Sequence, residues 1–362
     1  MIIIDMSHLS YRNLYTAIYN VKPKKDKKTG KYLTEDWFSL YAHQMLFSLS
    51  KIENKFSKYG KVVIALDSKT NWRKDFLKSS GYKGSRKKIR EESEINFEEF
   101  FEENDKFIEF LRNGIGYITV QVDDVEADDI GYVLSEYINE ETILVTEDKD
   151  WKQHLINNNN VSLYMPIKNV HLKNNNIQDE LKEFRAIHIL IGDKADDIPN
   201  VMSDIEFTPE FIQLLKRNHI EWSLPSQVQH LDIFDELVKY AEENDIQIYK
   251  KMRFGEKTAQ KFIKSPTEYI RNKIKDKKKL YDNIRRNRKL VDIKKLPKHY
   301  KEKIIENYRK NINSNSNSNK ILEDYINEKN LHQAKNLTLN GNDLSSIPDE
   351  SLSNMFNNMF SF

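Results

Sequence analysis

Acidic residues stand at or just past the ends of short apolar runs four times in the first two hundred residues. Asp5 closes the run 1–4, and Asp67 closes 62–66. Glu126, Asp128 and Asp129 follow 117–122 within a few positions, and Asp148 and Asp150 follow 143–145. Short β-branched runs of this kind read as buried strands, and helical periodicity fills the stretches between them. Strands alternating with helices predict an α/β fold, a mostly parallel twisted sheet covered on both faces. In such a sheet the carboxyl ends of the strands share one rim, where ligands bind. Acids at successive strand ends are therefore expected to converge. Two carboxylates about 5 Å apart repel by about 3 kcal/mol at an effective dielectric of about 20. A larger group needs cations, and an all-oxygen donor set suits hard divalent ions, Mg²⁺ with Mn²⁺ as a substitute.

The 362-residue chain has no cysteine, which removes disulfides, thiolate nucleophiles and thiolate zinc sites. Its 9 histidines show no metal-ligand spacing. No apolar segment approaches the roughly 20 residues that span a bilayer, so no membrane partner is expected. The start Met-Ile-Ile-Ile-Asp lacks the basic, long-apolar pattern of a signal peptide, which predicts a cytoplasmic protein. The net charge of +2 conceals an asymmetry: residues 250–310 hold 23 Lys and Arg against 7 Asp and Glu. Such a bias suits a polyanionic partner. An acidic metal site followed by a basic platform is the combination that cutting a phosphodiester requires.

Further along the chain, Asp36 is expected to cap a helix reaching about residue 59, followed by a strand at 61–67. Residues 68–96 are basic, hold Gly81 and Gly84, and have little apolar content to pin them. Helices are predicted at 97–111, 126–138 and 182–191, with strands at 117–122, 142–146 and 161–165. Beyond Pro199 the pattern becomes helical with no clear strand. Residues 203–247 read as a helical insertion without assigned chemistry. A glycine turn at Gly255 opens a short basic helix, and further helices are expected at 268–290, 298–311 and 320–334. The alternating Asn and Ser of 311–319 read as a flexible linker.

A single acid after a strand is ordinarily a turn or cap residue, so the joint pattern carries the weight. Glu126-Ala-Asp128 and Asp148-Lys-Asp150 each have i, i+2 spacing. Such pairs can serve two ions about 3.5–4 Å apart, the arrangement used for in-line phosphoryl displacement. A fifth group, Asp193, Asp196 and Asp197, lies in Gly-Asp-Lys-Ala-Asp-Asp-Ile-Pro-Asn-Val. Together with Ile-Ile-Asp5, Ala-Leu-Asp67, Val-Glu126-Ala-Asp128-Asp129, Thr-Glu-Asp148-Lys-Asp150-Trp and Tyr82-Lys83-Gly-Ser-Arg86, this series resembles the 5′-nuclease family. That family comprises flap endonucleases, the 5′-exonuclease domain of bacterial DNA polymerase I and bacteriophage 5′-exonucleases. The likeness is greatest to the T-even phage ribonuclease H branch and extends over about residues 1–310.

The resemblance implies a division of labour. Asp5, Asp67, Glu126, Asp128 and Asp148 would hold a first ion, with Asp129 a further candidate, while Asp150, Asp193 and Asp196 would hold a second. Asp197, where relatives often have Asn, is left out of the set. Residues 68–96 would form an arch or bridge, from which Lys83 and Arg86 contact the scissile phosphate. Gly255, Lys257, Thr258 and Lys261 would belong to a helix–three-turn–helix element that binds duplex phosphates around a K⁺ ion. Three regions are thus expected: a nuclease domain over 1–200, a helical DNA-binding region over 201–310, and a linker, short helix and tail over 311–362. The tail residues Met359, Phe360 and Phe362 are similar to the terminal peptides that dock on a sliding clamp. The implied activity is metal-dependent 5′→3′ exonuclease and flap endonuclease with RNase H activity. It would remove primers from lagging-strand fragments in phage replication. Its substrates would be nicked, flapped or forked DNA and RNA–DNA hybrid, and its protein partners a clamp and a single-strand-binding protein. A non-catalytic junction-binding protein and a PIN-type endoribonuclease are the competing readings. The complete acid set opposes the first, and the long basic C-terminal part opposes the second.

Overall fold

The computed structural model describes residues 1–77, 81–174, 177–313, 318–331 and 337–343. The predicted docking residues Met359, Phe360 and Phe362 lie outside these, as do 314–317 of the predicted linker. The chain forms two compact units that interleave along the sequence. The first contains Met1–Trp72, Lys87–Gln178 and Leu296–Phe362; the second contains Arg73–Arg86 and Asp179–Lys295.

A six-stranded sheet organises the first unit. Its strands are β1 (Ile2–Asp5), β2 (Val62–Ala65), β3 (Ile118–Val120), β4 (Thr142–Val145), β5 (Val161–Met165) and β6 (Val170–Lys173). Their order is β3-β2-β1-β4-β5-β6. All pairs are parallel except β5–β6, which is antiparallel. The predicted α/β sheet is thus present, with β6 an additional exposed edge strand that the sequence reading passed over. The strand order reverses at β1, between β2 and β4, the place where open sheets of this type leave a crevice.

Ile2 and Ile4 join one apolar core with Val62, Ile64, Ile143 and Val145. Helices α1 (Met6–Val21), α2 (Phe38–Phe56) and α4 (Phe97–Phe110) contribute Leu9, Leu14, Tyr41, Leu46, Phe100 and Phe107 to it. Strand alternation turns Ile3 to the opposite face, where α5 (Ala127–Tyr137) packs on β1 and β2. Near the other end of the sequence, α13 (Lys298–Asn313) packs on β3 and α5, and α14 (Asn319–Glu328) brings Leu322, Tyr325 and Ile326 to the first core. The helix α1 escaped sequence reading because its buried face includes Ser10 and Asn13. Asn13 Nδ2 donates to Leu9 O at 2.9 Å, so its burial is satisfied within the helix.

The second unit is helical, as expected beyond Pro199. The helix α6 (Gln178–Ile191) leads into it. The insertion forms α7 (Pro209–Arg217), α8 (Pro225–Val228) and α9 (Ile233–Glu243) around its own core of Phe207, Phe211, Leu215, Val228 and Leu237. Its ends are pinned together by a bridge between Phe207 and Tyr249, with Thr208 N donating to Ile248 O at 3.0 Å. The helix predicted at 268–290 is two helices, α11 (Pro266–Lys273) and α12 (Lys277–Val291). Asp276 separates them because its carboxylate caps α12, accepting from Lys279 N at 2.9 Å. The expectation that 68–96 lacks an apolar anchor is also corrected. Leu77 and Tyr82 are buried with Ile198, Leu290 and Val291 in a small core of the second unit. The start of α3 (Gly84–Glu92) follows directly from that anchor.

Candidate active site

The rim of the first unit is built by strand ends and helix starts. Asp5 is both the last residue of β1 and the N-cap of α1, its Oδ1 accepting from His8 N at 3.1 Å. Thr146, just past β4, donates its hydroxyl to Asp5 Oδ2 at 2.8 Å and accepts from Asp148 N at 3.0 Å. Asp148 in turn accepts from Asp150 N at 2.9 Å. Asp67 Oδ1 accepts from Ala127 N, the first amide of α5, at 2.8 Å. Glu126 is the N-cap of α5 and forms a reciprocal capping box with Asp129. The side chains that begin and end secondary structure here are therefore the acids themselves.

Asp5 shows the electrostatic result. It is 7% exposed, and its carboxyl is pushed up to about 7. Burial is the larger cause, followed by the charge of Asp67; Asp148 adds to the rise, while the His8 amide and Thr146 hydroxyl oppose it. Two neighbouring carboxylates thus act on a third from different strand ends, as the sequence pattern predicts. A buried acid raised by other acids is an oxygen donor set short of positive charge, which fits a hard divalent cation. A small cavity at the β1–β4 crevice is lined by Asp5, His8, Arg12, Thr146 and Glu147.

Asp129 is buried deeper than the rest. Its Oδ2 accepts from Trp72 Nε1 at 3.2 Å and from Glu126 N at 3.5 Å. These contacts fix the start of α5, the element that presents Glu126 and Asp128. Trp151 lies against Gly131 of α5 so closely that an added Cβ would meet its ring at 2.5 Å.

In the second unit Asp193, Asp196 and Asp197 share one tight turn after α6. Asp193 and Ile198 exchange backbone hydrogen bonds of 2.9 and 2.7 Å. Gly192 has φ +70°. His188 Nε2 lies 3.1 Å from Asp193 Oδ2, and Ala195 N donates to Asp193 Oδ1 at 2.7 Å. The segment carrying Lys83 and Arg86 is held on this turn. Tyr82 OH donates to Asp196 Oδ2 at 3.0 Å, and Lys83 N to Asp196 O at 3.0 Å. Arg86 Nη2 reaches Asp196 Oδ1 at 2.5 Å, and Lys83 Nζ lies 3.8 Å from Asp196 Oδ2. Asp197 Oδ2 accepts from Ser85 N and Ser85 Oγ, both at 2.8 Å. Both basic residues therefore stand beside acids of the same unit, and Asp197 anchors the segment that carries them.

Gly255 caps α10 (Glu256–Lys264) through its carbonyl, which accepts from Thr258 N and Ala259 N at 3.0 Å. Ala259 and Phe262 are buried, while Lys257, Lys261 and Lys264 are exposed. The predicted basic helix start is present with one apolar and one cationic face.

Sequence reasoning passed over Thr146, His188, Asn283 and Asn287. The first two stand beside recognised acids. The other two are asparagines at core positions of α12, a signal visible only once the helix and its buried side are known.

Comparison with known proteins agrees with this architecture. Residues 1–182 match the profile of the 5′-3′ exonuclease N-terminal, resolvase-like domain. The ribonuclease H of Enterobacteria phage T4 is 33% identical over 217 residues, covering 57% of this chain and 65% of that protein. A T5 5′-exonuclease structure, described as having divalent metal ions (zinc) bound, superposes with a TM-score of 0.52 at 15% identity. It covers 86% of this chain and 98% of its own. Among the described residues no helix is long and apolar enough to cross a membrane. With half the chain matched by the family profile and the acid-rimmed parallel sheet in place, the chain belongs to the 5′-3′ exonuclease family.

Proposed function

We propose that this protein is a divalent-metal-dependent 5′→3′ exonuclease and flap endonuclease with RNase H activity. Its substrates are nicked, flapped or forked DNA and RNA–DNA hybrid. The observation that carries the reading is Asp5, a buried carboxylate at the end of β1 that Thr146 ties to Asp148, its carboxyl pushed up by burial first and then by the charges of Asp67 and Asp148. A binding protein for a polyanion gains nothing from concentrated negative charge, whereas a hydrolase needs it to hold cations. The phage relative named ribonuclease H supports the substrate class, although the match spans 65% of that protein.

Asp5, Asp67, Glu126, Asp128, Asp148 and Asp150 are the proposed ligands on the sheet rim, with Asp129 acting behind them to fix the start of α5. Asp193 and Asp196 are the proposed ligands on the acidic turn. Mg²⁺, or Mn²⁺ in its place, would supply Lewis acidity and charge neutralisation for phosphodiester hydrolysis. Lys83 and Arg86 bind the scissile phosphate, the guanidinium suiting two oxygens at once. Tyr82 and Ser85 orient that pair by fixing the segment on Asp196 and Asp197. Lys257, Lys261 and the amides after Gly255 grip the phosphates of the duplex, with K⁺ the proposed ion of that turn. Residues 1–200 form the nuclease region of this reading, 201–310 the DNA-binding region, and Met359, Phe360 and Phe362 the docking end for a sliding clamp. The single-strand-binding protein is a second proposed partner, and the host cytoplasm the proposed place of action.

The test is product analysis on a 5′-labelled flap and an RNA-primed nick. Cleavage in Mg²⁺ and none in EDTA is expected, with short 5′ products from both substrates. No cleavage in either condition contradicts the enzyme. Removal of residues 351–362 is expected to leave this basal cleavage intact and abolish stimulation by a clamp. Equal stimulation of the shortened chain contradicts the docking role.

A further inference from the structure

Among the described residues no strand flanks the acidic turn; the segment 82–86 contacts its acids, and α12 contacts its stems. Asn287 is fully buried on α12. Its Nδ2 donates to Ile189 O at 3.0 Å and to Pro199 O at 2.7 Å. Ile189 lies in the last turn of α6, where carbonyls have no helical partner. His188 O is taken by Gly192 N and Leu190 O by Val201 N, each at 2.9 Å. Asn287 supplies the donor for the carbonyl between them. Pro199 stands just beyond the turn. One side-chain amide thus joins the two stems of the loop bearing Asp193, Asp196 and Asp197.

The orientation of that amide is fixed independently. Arg286 Nε donates to Asn287 Oδ1 at 3.0 Å. A guanidinium can only donate, so the oxygen must face it and both N–H bonds must face the carbonyls. One helical turn earlier, Asn283 is 2% exposed. Its Nδ2 donates to Val201 O at 3.0 Å and Ser203 O at 2.7 Å. That pair of acceptors lies wholly past the loop. The two asparagines therefore make the same kind of contact to different targets, which gives the test an internal control.

We infer that Asn287 is a positioning residue for the metal ligands of the acidic turn. It sets the spacing of the stems and thereby the separation of the Asp193 and Asp196 carboxylates. The inference rests on the proposed metal-dependent reading, since it assigns these acids to an ion. Asn283 bonds only the outgoing stem, through Val201 O and Ser203 O, and does not tie it to α6.

The experiment uses the full-length protein and three variants: Asn287→Leu, Asn287→Ala, and Asn283→Leu as control. Mn²⁺ binding is measured by calorimetry, Mg²⁺ dependence by flap cleavage, and folding by thermal melting. In both Asn287 variants one class of Mn²⁺ site is expected to weaken by about 10–100-fold, the usual range for losing a group that orients a ligand. The Mg²⁺ concentration for half-maximal cleavage rises in parallel, and excess metal restores turnover. Asn283→Leu lowers the melting temperature with its metal titration unchanged. Wild-type metal titration in a folded Asn287 variant overturns the inference. So does turnover that falls equally at every Mg²⁺ concentration, or an equal shift in the control. Should Asn287→Leu fail to fold, Asn287→Ala, which leaves room for water, decides. A wild-type protein that neither binds Mn²⁺ nor cleaves refutes the nuclease reading, and this inference with it.

Discussion

At the rim of the first unit each acidic group comes from a different strand end, whereas in the second unit Asp193, Asp196 and Asp197 come from a single turn. The rim acids inherit their positions from the sheet. β1 is hydrogen-bonded to β2 on one side and β4 on the other, so Asp5, Asp67 and Asp148 are held by long-range pairing. The turn has no such frame. It depends on Gly192, on the Asp193–Ile198 bridge and on the buried asparagine of α12. A carboxylate cluster can thus be held by fold topology or by local fasteners. The two arrangements should fail differently.

The largest expected effect is at the rim. Asp5→Asn or Asp148→Asn is expected to reduce flap cleavage by about 1,000-fold or more, equivalent to about 4 kcal/mol of barrier, while flap binding persists. Turnover within tenfold of wild type would remove those residues from the ligand set. Next comes the cationic segment on the turn. Arg86→Ala is expected to cost about 10²–10³ in turnover, the range for losing one donor to a developing charge. A change confined to KM would instead make Arg86 a binding group only.

The third effect is on stability and separates the two constructions. A Cβ at Gly192 would overlap Ile198 O and lie 2.6 Å from Pro199 O, at a φ of +70°. Gly192→Ala is therefore expected to destabilise the protein by about 2–4 kcal/mol, measured by urea unfolding. A near-neutral result would show that the turn relaxes freely.

The smallest effect is a pH dependence at the rim. Asp5 has an ordinary value of 3.8 when unfolded and about 7 when folded. The native state then binds the proton more tightly, so this contribution to stability is full below about 4 and is lost as pH rises through about 7. A divalent ion competes with that proton. The rise in melting temperature on adding Mg²⁺ is expected to be small at pH values below about 6 and to grow through about 7. Asp5→Asn should flatten this profile, and an unchanged profile would assign the dependence to another group.

These contrasts also explain what was legible in the sequence. The strands β1, β2, β4 and β5 are readable because they are buried along their whole length, giving short apolar runs, and in β1, β2 and β4 an acid stands at the end or within three residues of it. The strand β6 lacks that signal because Val170, His171 and Lys173 are exposed on the sheet edge. Helix α1 is hidden by Ser10 and Asn13, polar residues on its buried face that interrupt the apolar period. Residues 68–96 read as unanchored because few large apolar side chains pin the part that carries Lys83 and Arg86: among the described residues Leu77 and Tyr82 are buried there, with Phe76 half-buried against them. Their partners, Ile198, Leu290 and Val291, are more than a hundred residues away in sequence. Asp193 and Asp196 stand out in the sequence as an acidic group, but their assignment to an ion follows only from the family motif, since a turn has no period to read. Asn287 could not be found at all without knowing which carbonyls it faces.

The central claim is that the rim carboxylates are ligands of a divalent centre. Mn²⁺ titrated calorimetrically into the wild-type protein and into an Asp5→Asn/Asp148→Asn double variant tests it most directly. Two ions per wild-type chain and loss of one class of site in the variant are predicted. Identical isotherms for the two folded proteins would contradict the account.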